Sequence, residues 1–100
     1  MFDTGIMLAG RHDIIGDLAR LRNEFVGASN RSDDALSRLE VLAATAVFHG
    51  MSYAIVTKAS GVPRRRIEVV AETQVDAVAS CAAGYERLAS GLVMPIERTD

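Results

Sequence analysis

Residues 53–72 read YAIVTKASGVPRRRIEVVAE, and their spacing predicts two short helices joined by a tight turn. Ile67, Val70 and Ala71 stand at i, i+3 and i+4, the recurrence that gathers apolar side chains on one helix face. Val56 and Ala59 begin the same pattern in a shorter first helix. Ser52 is placed to cap that helix, because its hydroxyl can accept from an orphan backbone N–H. Gly61 follows the last residue, where a left-handed backbone costs least without a Cβ. Pro63 suits the first turn of the second helix, where its missing N–H would be unpaired in any case. Arg64, Arg65 and Arg66 then head that helix.

These features resemble the helix-turn-helix of repressor-type transcription factors. The likeness covers about twenty residues, a fifth of the chain. In that family the turn glycine is flanked by four buried apolar positions, onto which Val56, Val62, Ile67 and Val70 fall, with Gly61 on the glycine. The resemblance implies that Pro63–Glu72 is a recognition helix lying in the major groove, with Pro63, Arg64, Arg65, Glu68 and Val69 toward the bases. Lys58 and Arg66 would contact backbone phosphates. Arginine suits guanine edges best, and Glu68 could accept from a cytosine amino group. Thr57 and Ser60 depart from the pattern, standing where the family prefers alanine or another small residue. Each hydroxyl then needs a partner, which the preceding helical turn can supply.

The arginine run has a physical reading of its own. Three cations at a helix N-terminus oppose the macrodipole, so their placement points to a bound anion. Phosphate is the first choice, since helix N-termini and arginine both bind it. An acidic protein surface is the second.

Working outward, the chain of 100 residues is one domain, 1–100, with 49% hydrophobic residues, five aromatics and two prolines. Abundant alanine and few alternating β-branched runs predict an all-α protein. The architecture expected is a compact bundle of about five helices containing a three-helix helix-turn-helix unit over 33–49, 52–60 and 63–72. A first helix is expected from Arg11 to Val26, burying Ile14, Leu18, Leu21 and Phe25, with Ile15, Arg22 and Val26 alongside. Asp13, Asp17, Arg20 and Glu24 would form its opposite, polar stripe, and Gly27–Asn30 would end it. Asn30 or Ser32 would cap the next helix, with Asp33 and Asp34 in its first turn and Gly50 at its end. The uncharged run Val41–Thr57 is 17 residues long and interrupted by His49-Gly50. That is short of a membrane span and reads as buried core.

The C-terminal third is alanine-rich. Ala71, Val75, Val78, Ala82, Tyr85, Ala89 and Leu92 are spaced alternately by four and three, a heptad seam. It predicts a helix over about 74–91, packed on the first helix or forming a homodimer. Thr73 with Asp76 could be a fresh cap that breaks 63–91 into two helices. Residues 1–9 and 94–100 are expected to be loose ends.

Net charge is −2, so a whole-domain basic footprint is missing. The distribution is uneven, however: residues 52–67 carry Lys58 and three arginines and no acid. Screening at cell salt lets that near field dominate. The single Cys81 has no intrachain partner and reads as a small buried hydrophobe in a cytoplasmic protein. No secretory leader is read at the N-terminus, where Asp3 and no basic residue precede a short apolar run. His12, Asp13 and Asp17 are better explained as a solvated stripe than as a metal site. His49 belongs at a helix C-terminus, where a cation suits the dipole. No phosphate loop, metal-ligand pair or nucleophile elbow is present, so no cofactor, metal or enzymatic activity is expected.

Two functions fit this reading. One is a small, dimeric transcriptional regulator that binds DNA through the helix starting at Pro63. The other is a protein of the same fold that regulates another protein, as an antiactivator, antitoxin or adaptor, without binding DNA. A continuous positive face around Arg64–Arg66 would favour the first. A mixed face beside an exposed apolar patch would favour the second.

Overall fold

The computed structural model describes residues 13–26 and 33–96. Five helices lie among them: α1 (Ile14–Val26), α2 (Asp33–Phe48), α3 (Tyr53–Ser60), α4 (Arg64–Thr73) and α5 (Val75–Ala82). A hairpin of β1 (Tyr85–Arg87) and β2 (Val93–Pro95) completes the order. The molecule is the all-α bundle expected, with one short two-stranded ladder added.

Helix α2 is the axis of the bundle, packing against α1, α3, α4 and α5. Every residue from Leu42 to Ala46 is buried, because neighbours cover it on several sides. Thr45 is the polar member of that run, and its hydroxyl donates to the Val41 carbonyl at 2.8 Å. Asp33 and Asp34 occupy the first turn, where negative charge suits the helix dipole. Gly50, at φ 98°, ends the helix. Its N–H donates to Val47 O at 2.9 Å, and Met51 N–H donates to Ala46 O at 3.0 Å. These two bonds satisfy carbonyls that the helix end would otherwise leave open.

Helix α1 starts at Ile14. Asp13 precedes it and accepts from Gly16 N–H at 2.9 Å, so Asp13 is a cap rather than part of a polar stripe. Ile14 and Leu18 are fully buried, whereas Leu21 and Phe25 are half-buried. Asp17 is buried, against expectation, because a partner distant in sequence satisfies it: the Tyr85 hydroxyl donates to its Oδ2 at 2.8 Å. Arg11, His12, the stretch Gly27–Asn30, the capping choices Asn30 and Ser32, and residues 1–9 lie outside the described residues.

The C-terminal third departs most from expectation. The helix foreseen over 74–91 is α5, eight residues ending at Ala82. Gln74, at φ −122° and ψ 49°, separates it from α4, so 63–91 does not form one helix. Thr73 is not the new cap, since its hydroxyl donates back to Val69 O at 2.7 Å. Beyond α5 the chain reverses, pairing Tyr85 with Pro95, Glu86 with Met94 and Arg87 with Val93.

Two glycines explain why the seam fails. Gly84 follows the end of α5 and weakens helix continuation. Gly91, at φ 95°, sits in the hairpin turn, where its N–H donates to Leu88 O at 2.9 Å. Burial of Val93 and Met94, with β2 packed on α1, then favours the hairpin over helix. Residues 94–96 are therefore part of the fold rather than a loose end, and 97–100 lie outside the described residues. Val78 and Ala82 are buried within the bundle, α5 packing on α2. Tyr85 and Leu92 belong to the hairpin region, so no continuous C-terminal helix carries a homodimer seam.

Cys81 is half-buried rather than buried. His49 does bond a helix C-terminus, but that of α5: its Nε2 lies 3.0 Å from the Ala82 carbonyl, which can only accept. No helix among the described residues is long and apolar enough to cross a membrane.

Candidate nucleic-acid interface

Helices α3 and α4 meet at a corner made by Gly61, Val62 and Pro63. The Ser52 hydroxyl accepts from Ile55 N–H and caps α3, as expected. Gly61 adopts φ 76°, and its N–H donates to Thr57 O at 2.8 Å, closing the helix in the left-handed conformation that glycine supplies. Pro63, at φ −66° and ψ 150°, is the extended residue immediately before α4. Val56, Val62, Ile67 and Val70 are all buried, so the corner stands on four apolar anchors.

Both hydroxyls at the corner are satisfied locally. Thr57 donates to Ala54 O at 3.1 Å. Ser60 is buried, donates to Val56 O at 2.7 Å and accepts from Val62 N–H at 3.1 Å. Ser60 thus supplies a bond for the first backbone N–H after Gly61, which alanine would leave unpaired.

The solvent face of α4 carries Arg64, Arg65, Glu68, Val69 and Glu72, at i, i+1, i+4, i+5 and i+8, opposite buried Ile67 and Val70. Four cations head this region, and the structure treats them in three ways. The Arg64 guanidinium lies over the Tyr53 ring, 4.3 Å from its centroid, and its Nε bonds Glu68 Oε2 at 3.2 Å. Arg66 stays half exposed and reaches across to α2, where its Nε meets buried Glu40 Oε2 at 2.9 Å. That bond, and the charge behind it, raise the Arg66 pKa. Arg66 is therefore a counter-ion for α2 as well as a cation at the head of α4. Arg65 and Lys58 are exposed and have no ion-pair or hydrogen-bond partner among the described residues.

One cation at this site was not foreseen. Arg22, on α1, lies against the turn: a Cβ placed on Gly61 would sit 3.2 Å from its Nε. It too has no ion-pair or hydrogen-bond partner among the described residues. Spacing placed Arg22 beside the buried face of α1, but nothing local tells that this face meets Gly61. Tyr53 and Glu40 were missed for the same reason, since each acts on an arginine of a different helix.

The face is not uniformly positive. Glu68 and Glu72 follow the arginines along α4, and an apolar groove of about 220 Å³ lies beside it, lined by Phe48, Tyr53, Ala71 and Val75 among others. Phe48 is 67% exposed and Val75 58%. A wider groove of about 460 Å³ runs between α1, α2 and α5, bordered by Arg20, Arg38, Cys81 and Tyr85. No group of three or more His, Cys, Asp or Glu side chains placed to hold a metal occurs among the described residues.

No protein-family model matches the chain, and neither the search of curated proteins nor that of solved structures gives a match.

Proposed function

We propose that this protein is a small helix-turn-helix transcriptional regulator that binds DNA through the head of α4. The observation that carries the reading is the charge arrangement at the corner. Arg22, Lys58 and Arg65, the last two within four residues of Gly61 and the first packed against it, have no acidic partner among the described residues. Of the other described arginines, Arg20, Arg38, Arg64 and Arg66 are each matched by a carboxylate, and Arg87 bonds the His49 carbonyl. Unmatched cations around one helix head suit a polyanion, whose condensed counterions they would replace.

The test is binding of the purified protein to a random DNA pool and to its own upstream region at two salt concentrations. Sequence-selective binding that weakens with salt is expected. Arg65→Ala should cost about 1–3 kcal/mol of binding free energy and relax one base position. Unchanged affinity and preference in that variant would remove Arg65 from the interface.

A second reading has its own observation. Exposed Phe48 and Val75 beside the mixed charges of α4 form the kind of apolar patch that marks protein contacts. On this reading the same scaffold binds and regulates a protein, as an antiactivator, antitoxin or adaptor. Phe48→Ser would then abolish capture of the partner and the wild type would show no sequence-selective DNA binding, whereas on the first reading the wild type binds DNA and Arg65→Ala weakens it.

A further inference from the structure

Arg64 is held in place before any ligand arrives, and on the solvent face of α4. Its flat guanidinium rests on the Tyr53 ring at 4.3 Å, an attraction between the cation and the ring face. Its Nε is engaged by Glu68 at 3.2 Å, one helical turn further along α4. The contacts come from two helices, so together they restrain both the plane of the guanidinium and its rotation within that plane. The two terminal amino groups have no partner among the described residues. What remains free is therefore the end-on fork of two parallel N–H donors.

That fork matches one base edge. Guanine presents O6 and N7 side by side in the major groove, two acceptors that a guanidinium can bond together. A held fork loses less freedom on binding than a mobile one, and preorganisation of this sort raises the yield of each bond formed. Arg65 and Lys58 are not restrained in this way, so they add attraction without fixing a geometry.

Resting on the DNA-binding reading, we propose that Tyr53 and Glu68 are positioning residues that hold Arg64 as the reader of one guanine in the bound site. Tyr53 acts through its ring face, which phenylalanine shares and leucine lacks. Glu68 acts as an aligning acceptor, so it need not touch a base itself. Lysine at position 64 would keep the charge and lose the fork.

The experiment is selection of sites from a random DNA pool by the wild type and by Tyr53→Phe, Tyr53→Leu and Arg64→Lys. Affinity for the selected and a scrambled site follows, at several salt concentrations. The melting temperature of each variant is read alongside. The wild type and Tyr53→Phe should select guanine at one shared position of the site. Tyr53→Leu should lower the preference for the selected over the scrambled site by about two- to fivefold, the scale of one exposed cation–π contact. Arg64→Lys should lose the guanine altogether. Both should keep the wild-type salt dependence, since the charge is unchanged. If Tyr53→Leu, folded and bound, retains the guanine and the full preference, the positioning proposal is overturned while the DNA-binding reading stands. If the wild type selects no sequence, the DNA-binding reading fails and takes this proposal with it.

Discussion

The corner between α3 and α4 and the hairpin after α5 are held by opposite means. At the corner the bonds that shape the backbone are short-range: Ser52 to Ile55, Thr57 to Ala54, Ser60 to Val56 and Val62, each within four residues; among the described residues only the Arg66 side chain reaches further, to Glu40. The hairpin is moored from far away. Tyr85 reaches Asp17 across 68 positions and Arg87 reaches the His49 carbonyl across 38, while His49 holds the end of α5 just before the hairpin, at Ala82, across 33. Local bonds set the turn and caps of the corner, and its four buried anchors seat it on the bundle. A moored hairpin exists only while the bundle beneath it is assembled. The comparison favours the corner as the place for an interface, because a rigid element presents its side chains in a fixed geometry.

The contrast can be broken by substitution. The largest effect should come from the apolar footing of the corner: Ile67→Ala removes a fully buried side chain and should cost about 2–5 kcal/mol, read as a large fall in the denaturant midpoint of the whole protein.

Tyr85→Phe is next. It deletes a hydrogen bond to the carboxylate of buried Asp17, for a loss of about 1.5–3 kcal/mol. It also sharpens the comparison through pH. Burial, followed by the bond to Asp17, raises the Tyr85 phenol above its ordinary value of 10.0. A raised phenol contributes stability that is fully present below that value and is lost as pH climbs above it. The wild type should therefore weaken above pH 10 in a way that Tyr85→Phe does not, a difference measurable by denaturant titration across the alkaline range.

Ser60→Ala leaves the Val62 N–H buried and unpaired, for about 1–3 kcal/mol. Its signature should be local as well, with faster amide exchange at Val62 and in α4. The smallest effect belongs to the hairpin: Arg87→Ala loses an exposed bond to His49 O, for about 0.5–1.5 kcal/mol. Exchange should quicken at Leu88 and Ile96, whose amides close the hairpin and tie it to Gly84, with the corner unaffected. Quickened exchange at Val62 in Arg87→Ala would mean that the two regions are not independent.

The same division decides what could be read from the chain. The caps Ser52 and Gly61, the end at Gly50 and the four buried positions Val56, Val62, Ile67 and Val70 are consequences of neighbours within a turn or two, and all are legible in sequence. So was the enclosure of α2, because an unbroken apolar run has no solvent side. Asp17 looked like a surface acid because its partner is 68 residues away. The heptad spacing from Ala71 to Leu92 misled because alanine, valine and tyrosine at such intervals serve a short helix and a hairpin as well as a long helix. Gly84 and Gly91 were the local signs against it. At the candidate site, the shared face of Arg64, Arg65 and Glu68 follows from their spacing on one helix. Arg22, Tyr53 and Glu40 reach it from other helices and were invisible to spacing.

The central position of α2 sets the order in which the molecule comes apart. Four helices use its sides as their common wall, so no subset of them can detach and leave the others a complete core. Amides of Ala43 to Ala46 should therefore be released to solvent only when the whole chain opens, and their exchange free energy should equal that of global unfolding. Amides of the hairpin report a shallower event. A single hydrogen-exchange profile would then hold two clocks, the slow one set by the wall and the fast one by what leans against it.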